Sequence, residues 1–243
     1  MSHDASPQTP EPTPPPVGRP PVVLIAAHDE ADRLPATLAA LRAAFPGARV
    51  VVADDGSTDG TAAVAAAHGA EVARSERNVG KGGAATLGAQ RLLALAREPD
   101  PPVVLLCDGD LATSADALGE LVETVRRGDA DLAVAAFARR VGGGFGLAVG
   151  FARWAIRRRC GLETIAPISG QRALRADLLP AVVPFAPRFG MEIGMTIDAV
   201  RAGYRVKEVE LPLTHRATGK TLQGFLHRGR QLKDFVAVYL ARR

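Results

Sequence analysis

Val103-Val104-Leu105-Leu106-Cys107-Asp108-Gly109-Asp110 is the stretch whose reading decides the fold. Five apolar residues in a row, opening on two β-branched valines, predict a short strand buried on both faces. Two carboxylates one residue apart follow at once. Alternate side chains of an extended chain point the same way, so Asp108 and Asp110 can converge just beyond the strand end. Convergent carboxylates repel unless a cation lies between them, and hard oxygen ligands suit Mg²⁺ or Mn²⁺. Taken alone, an Asp-Gly-Asp is an acidic turn with Gly109 at the bend. Its neighbours along the chain decide between the two.

Working outward toward the N-terminus, Val22 to Ala27 reads as a buried strand, followed by His28-Asp29-Glu30-Ala31-Asp32-Arg33. A helix then carries Leu34, Leu38, Leu41 and Phe45 on one face, with Pro35 in its first turn and Pro46-Gly47 at its end. Arg49 to Ala53 is a second strand, leading into Asp54-Asp55-Gly56-Ser57-Thr58-Asp59-Gly60-Thr61 and an alanine-rich helix to His68. Ala70 to Arg74 is a short third strand. Asn78-Val79-Gly80-Lys81-Gly82-Gly83 opens a helix running to about Arg97. Beyond the Asp-Gly-Asp turn, Ser114 is placed to cap a helix over Ala115–Arg127, and Leu132–Phe137 is a fifth strand. Strands alternating with helices at this spacing predict an α/β fold with a mostly parallel central sheet and helices on both faces. In such sheets ligands bind beyond the C-terminal strand ends, where the acidic and glycine-rich segments fall.

Toward the C-terminus, Gly142–Gly146 is a glycine-rich stretch, and the helix after it carries Leu147, Phe151 and Trp154 on one face. Ile168–Leu174 reads as a strand entered from a turn. Phe189-Gly190-Met191-Glu192-Ile193-Gly194 opens a helix to Ala202, and Val206–Leu213 alternates as an edge strand ended by Pro212. His215-Arg216 follows. A C-terminal helix carries Leu222, Phe225, Leu226, Leu232, Phe235, Val236 and Tyr239, with Arg228, Arg230 and Lys233 on other faces. It is expected to dock on the sheet, with a membrane-surface role as the alternative.

The 243 residues are 47% hydrophobic and 23% charged, as for a soluble globular chain of ordinary make-up. Residues 1–19 read as a disordered proline-rich leader and 20–243 as one domain in two parts, 20–137 and 138–243. Met1–Pro21 holds eight prolines and no apolar core, unlike a signal peptide. Two cysteines offer no disulfide framework, which fits a cytoplasmic setting. From Gly203 to the end nine Lys or Arg face three Asp or Glu, preceded by Arg139, Arg140, Arg153, Arg157, Arg158 and Arg159. A basic half of this kind suits a phosphate-bearing partner or an anionic membrane surface. Nucleic acid is set aside, because a base-stacking surface needs arginines interleaved with exposed aromatics and only 5% of residues are aromatic.

Several nucleotide sites are excluded by what is missing. No Gly-x-Gly-x-x-Gly follows the first strand, and Gly80-Lys81 lacks the upstream glycine and following Ser/Thr of a P-loop. A receiver-like domain built on Asp54-Asp55 would be about half as long. The ordered set does resemble glycosyltransferase family 2, with the GT-A fold, over roughly Pro20 to Gly219. Leu24–Glu30 resembles the family's P-x-Y-N-E segment, with Ala26-Ala27-His28 in place of its Pro, variable residue and Tyr. Val52–Thr61 is similar to V-D-D-G-S-x-D-G-T, Asn78–Gly82 to N-x-G-K-G, and Asp108-Gly109-Asp110 stands at the D-x-D metal motif. Ser169–Arg175, Phe189–Gly194 and His215-Arg216 resemble glucosyl-3-phosphoglycerate synthases and the soluble domain of dolichol-phosphate mannosyltransferases. Gly142–Gly146 departs from the synthases in lacking a Thr-Glu pair beside an acceptor carboxylate.

The resemblance implies a metal-dependent transfer of a hexose from a UDP- or GDP-sugar to a phosphate-bearing small-molecule or lipid acceptor. A polyprenyl phosphate at the cytoplasmic membrane surface is the alternative, and a non-catalytic nucleotide-binding protein the alternative of another class. It places Ala26, His28, Glu30 and Asp55 at the nucleotide, and Lys81 with the amides of its helix start at the diphosphate. Asp110 and His215 would hold Mg²⁺ or Mn²⁺, with Asp108 sharing the metal or holding the ribose. Glu192 is the implied base, and Arg172, Arg175 or Arg216 the acceptor-phosphate contacts, Arg216 foremost. A homodimer is an expected assembly.

Overall fold

The computed structural model describes residues 18–137, 147–211 and 222–243, with the side chains of 112–114, 137 and 222–230 left aside. Residues 1–17 of the leader, Arg139, Arg140, Gly142–Gly146, Pro212, His215 and Arg216 lie outside the described residues. Seven strands form one sheet: β1 Val22–Ala27, β2 Arg49–Asp54, β3 Glu71–Arg74, β4 Val103–Asp108, β5 Leu132–Phe137, β6 Arg172–Arg175 and β7 Val206–Leu211. The helices are α1 Leu34–Ala44, α2 Thr61–Ala67, α3 Lys81–Gln90, α4 Gly119–Arg126, α5 Leu147–Cys160, α6 Leu179–Val182, α7 Met191–Arg201 and α8 Leu222–Ala241.

The strand order is β3-β2-β1-β4-β6-β5-β7. β1, β2, β3 and β4 are parallel, and β7 is parallel to β5, while β6 runs antiparallel to both β4 and β5. Adjacent side chains of each buried strand serve opposite layers. Val23, Ile25, Val52, Leu105 and Cys107 pack with Leu34, Leu38, Leu41 and Phe45 on one face. Leu24, Val51, Val104 and Leu106 pack with Ala84, Ala85, Ala89, Met191 and Met195 on the other. The three α1 leucines have no exposed surface, and each such burial stabilises by about 1.5–3 kcal/mol.

Register decides where the site lies. Ala26 is opposite Asp108, and Ala27 is opposite Asp54, so the ends of β1, β2 and β4 finish side by side. This is the point where connections diverge to either side of β1, and it leaves a crevice above the strand ends. Because β6 is antiparallel, its entry rather than its exit comes to the same end: Arg172 is opposite Leu106.

Three elements differ from the sequence expectation. The segment after the Asp-Gly-Asp turn winds first as a 3₁₀ helix over Ala112–Leu118, so Ser114 lies inside it rather than capping α4. The tighter winding aligns residues three apart, and Ala115 and Leu118 are both fully buried. The helix begun at Lys81 stops at Gln90, and Leu93–Arg97 is a separate 3₁₀ turn. Among the described residues, the C-terminal helix docks on other helices rather than on the sheet. Phe235 and Val238 are buried with Ala152 and Ile156 of α5 and with Ile193 and Ile197 of α7. Gly190 permits that approach, since a Cβ there would lie 2.3 Å from Val238 Cγ2.

The glycine-rich start of α3 is equally a packing device. A Cβ on Gly82 would lie 1.9 Å from the Ala186 carbonyl oxygen, whereas one on Gly119, at the start of α4, would meet nothing within 4 Å. Gly82→Ala is therefore expected to lose about 1–3 kcal/mol through overpacking. Gly119→Ala is expected to gain about 0.4–1 kcal/mol by restricting the unfolded chain. Paired thermal melts check this: equal melting temperatures for the two variants would contradict the close packing of α3.

Candidate active site

The site is built from loops that follow β1, β2 and β4. Those after β1 and β2 are stapled together by side chains accepting or donating to backbone. Asp29, in the left-handed region at φ 52°, accepts from the Thr58 amide at 2.8 Å and donates its own amide to Ser57 Oγ at 3.0 Å. The Glu30 amide donates to Thr61 Oγ1, and the Ala31 amide to Asp59 Oδ2. Asp59 also accepts from the Thr61 amide and hydroxyl. The bond from the Thr61 hydroxyl is the largest influence holding its carboxyl below the usual carboxylate range. Asp59 thus tends the start of α2, and Asp55 does something else.

Asp55, 5% exposed, turns toward the loop before α3. Its Oδ1 accepts from the amides of Val79 at 2.6 Å and Gly80 at 3.1 Å, and its own amide donates to the Ala27 carbonyl. The Val79 and Gly80 amides, in the loop just ahead of α3, are therefore engaged by Asp55. The same clamp brings Asn78 to the mouth of the crevice, where its amide nitrogen lies 3.1 Å from His28 Nε2. His28 is exposed there, beside Asp29.

At the centre, the Lys81 ammonium lies 2.7 Å from Asp108 Oδ1 and 2.8 Å from Glu192 Oε1. Burial alone would lower the pKa of this ammonium, but the two carboxylates outweigh it and raise it well above an ordinary lysine. Asp108 is held from the other side by Gln171, whose Nε2 donates to Asp108 Oδ2 at 3.0 Å and whose Oε1 accepts the Asp108 amide at 3.3 Å. Gly170 closes the wall: a Cβ there would lie 2.5 Å from Lys81 Nζ and 2.7 Å from Asp108 Oδ2. The Gly109 amide donates to the Ala26 carbonyl, and Thr37 Oγ1 of α1 donates to the Gly109 carbonyl at 2.8 Å. With its backbone pinned on both sides, the turn directs Asp110 into solvent. Arg33 stands nearby, its guanidinium pKa raised first by its bond to Glu30 and further by Asp110.

Cys107, beneath the turn, is an inert thiol: burial first, then Asp108, push its pKa far up. Glu192 sits in the first turn of α7 and its side chain is 8% exposed. The crevice thus sets Asp108 and Glu192 around one ammonium, with Asp110 exposed at the turn beside Arg33. Its hard oxygen donors fit Mg²⁺ or Mn²⁺. Among the described residues no group of three His, Cys, Asp or Glu is assembled, and His215 lies outside them.

Two arginines are corrected. Arg172 is 1% exposed, and its guanidinium donates to the Ser169 and Pro167 carbonyls and to Thr196 Oγ1. Burial lowers its pKa to about 10 against the pull of Glu192 and Glu208. It faces inward, holding the loop before β6, and does not reach an acceptor. Arg175 is opposite Val103, at the far end of β4, paired with Asp177 through two bonds. The residue that sequence reasoning missed is Gln171. A polar side chain just ahead of a buried strand was its one signal.

Residues 22–174 match the family described as Glycosyl transferase family 2. An uncharacterized glycosyltransferase of Mycobacterium tuberculosis is 34% identical over 206 residues, covering 82% of this chain and 87% of that protein. The undecaprenyl-phosphate mannosyltransferase of Micrococcus luteus is 33% identical over 221 residues, covering 82% and 86%. Among solved structures, glucosyl-3-phosphoglycerate synthase of M. tuberculosis in complex with Mn²⁺, UDP-glucose and phosphoglyceric acid aligns with TM-score 0.70 and 26% identity, over 93% of this chain and 80% of that one. Its complex with Mn²⁺, UDP and glucosyl-3-phosphoglycerate aligns with TM-score 0.69 and 27% identity, at the same coverage. With these matches and a mostly parallel sheet that gathers the acidic motifs at one end, the chain belongs to glycosyltransferase family 2 and has its GT-A fold.

Proposed function

We propose that the chain moves a hexose from a nucleoside diphosphate sugar to a phosphate-bearing acceptor, with Mg²⁺ or Mn²⁺ as cofactor. The observation that carries this is the Lys81 ammonium between Asp108 and Glu192. It joins the residues assigned to the donor's diphosphate to the residue assigned to the acceptor. Asp110 and His215 hold the divalent cation, and Asp108 completes the set. The bound cation neutralises charge on the diphosphate leaving group. Lys81 offers a second positive charge to the same oxygens. Ala26, His28, Glu30 and Asp55 line the nucleotide end. The exposed His28 ring is placed to stack on a base, and Asp55 fixes the loop that frames it. Glu192 faces the acceptor. For a phosphate acceptor, already ionised, it positions the nucleophile, and for a hydroxyl it removes the proton. Arg216 is the candidate to grip the acceptor phosphate, a fork suited to two oxygens at once.

A polyprenyl phosphate is the acceptor favoured by the Micrococcus luteus relative, whose name states that lipid and whose match covers most of both chains. The phosphoglycerate named for the structural neighbours is the soluble counterpart. UDP-glucose and GDP-mannose, each offered with both acceptors and with or without Mn²⁺, test the reading. Product in the absence of any divalent cation would refute the metal-dependent mechanism.

Two variants sharpen it. Asp110→Ala is expected to lower turnover by about 10²–10³-fold, the loss of several kcal/mol of charge stabilisation, while leaving the melting temperature unchanged, because the side chain is exposed. Gln171→Ala is expected to raise the metal concentration for half-maximal rate about 10–100-fold, as loss of a residue that orients a ligand does. Metal titration of initial rates reads this, and an unchanged titration curve would show that Gln171 only packs.

A further inference from the structure

We propose that α5 and α8 together form a docking face for an anionic lipid bilayer. The two helices pack through Ala152, Ile156, Phe235 and Val238, which removes the inner apolar face of α8 from any membrane. What they leave outside is a second, composite apolar surface. The rings of Phe151, Trp154 and Tyr239 touch, with centroids 5.4 Å, 4.8 Å and 6.2 Å apart. Around them, Leu147 is 72% exposed, Leu240 45% and Trp154 44%. Helical spacing sets Leu147, Phe151 and Trp154 on one face of α5, and Val236, Tyr239 and Leu240 on one face of α8. Apolar side chains rarely gather on a surface in this way without a partner.

Charge selects the partner. α5 carries Arg153, Arg157, Arg158 and Arg159 and no Asp or Glu, and the acid in α8 is Asp234. Arg157 and Arg158 are exposed at the C-terminal end of α5, and Arg243 at the end of the chain. Arg159 lies with its guanidinium 3.6 Å from the centre of the Tyr239 ring, a cation resting on an aromatic face. An apolar, aromatic centre inside a cationic rim matches the layering of a bilayer surface, acyl chains below and anionic headgroups above. A second copy of the chain would bring arginines against arginines, and an uncharged partner would leave the rim unmatched.

The proposal rests on this surface and not on the acceptor assigned above. Vesicle binding by a chain that glycosylates soluble phosphates alone would remove the polyprenyl reading and leave the docking face intact. Polyprenyl phosphate transfer without vesicle binding would do the reverse.

Trp154 is the single tryptophan of the chain, so its fluorescence reports the face directly. The full-length protein is mixed with phosphatidylcholine vesicles or with phosphatidylcholine–phosphatidylglycerol vesicles, and binding is read by emission and by flotation. The expected result is a blue shift and flotation with the anionic vesicles and neither with the zwitterionic ones, weakening as salt rises. The double variants Leu147→Glu/Leu240→Glu and Arg157→Ser/Arg158→Ser, both altered at exposed positions, are expected to bind at least tenfold more weakly with unchanged melting temperatures. No flotation with anionic vesicles overturns the proposal, and so does undiminished binding by both double variants. A dimer in solution that the Leu147→Glu/Leu240→Glu variant dissociates, without vesicle binding, assigns the face to a second copy instead.

Discussion

An ammonium taken out of water must find negative charge, and Lys81 finds it in two carboxylates that come from opposite ends of the chain's folding pattern, Asp108 at the end of β4 and Glu192 at the start of α7. Removing one partner of such a half-buried cluster is destabilising, because the other charge is left uncompensated. The three groups therefore hold three elements in one arrangement. Much around them follows from it. Gly170 must lack a side chain, since the ammonium and Asp108 fill the space a Cβ would take. The start of α3 must lie close enough to the 186–188 loop to exclude a Cβ at Gly82. Asp55 must hold the Val79 and Gly80 amides so that the chain enters α3 with Lys81 aimed inward.

The antiparallel β6 is the second constraint. Five or six consecutive parallel strands would carry only strand exits to the crevice. By reversing one strand, the fold brings an entry there as well, and Ser169-Gly170-Gln171 arrives beside Asp108. The loop carrying these residues is fastened at both ends by charged groups. Arg172 holds the carbonyls of Pro167 and Ser169, and Glu208 of β7 accepts the amides of Ile165 and Ala166. A buried guanidinium satisfied by carbonyls and a hydroxyl fixes one conformation of the backbone, which an apolar side chain would not.

How much of this was legible depends on the range of the forces involved. Val22–Ala27, Val103–Asp108 and Leu132–Phe137 are legible because burial on both faces writes an unbroken apolar run. The α1 face of Leu34, Leu38 and Leu41 is legible from its spacing. The strand-end motifs identify the crevice because the topology leaves them one place to meet. Gln171, the inward turn of Arg172 and the placing of Arg175 at the far end of β4 are not legible. Each depends on β6 running antiparallel, and its four residues read the same in either direction. The docking of α8 on α5 and α7 escapes for a related reason: an apolar stripe states that it will be covered, not by what. The grip of Asp55 on the Val79 and Gly80 amides is not legible either, because no side-chain pattern records an amide partner.

The division of labour between Asp108 and Asp110 follows from what each already holds. Asp108 has one oxygen on the Lys81 ammonium and the other on the Gln171 amide, while Asp110 projects into solvent from a turn pinned at Gly109. Under the proposed function, Asp110 would offer its exposed carboxylate to a divalent cation directly from solvent. To share Asp108 the cation has to compete with the ammonium for Oδ1. That competition is useful chemistry. As the diphosphate enters, its oxygens offer Lys81 a replacement for the carboxylate it gives up, so the exchange conserves the number of charge-assisted bonds. Through the bond it keeps, the ammonium would link the donor to Glu192 on the acceptor side of the crevice. A single ammonium would then register the donor and ready the residue that faces the acceptor, which is why Lys81, rather than either aspartate, is the hinge of the site.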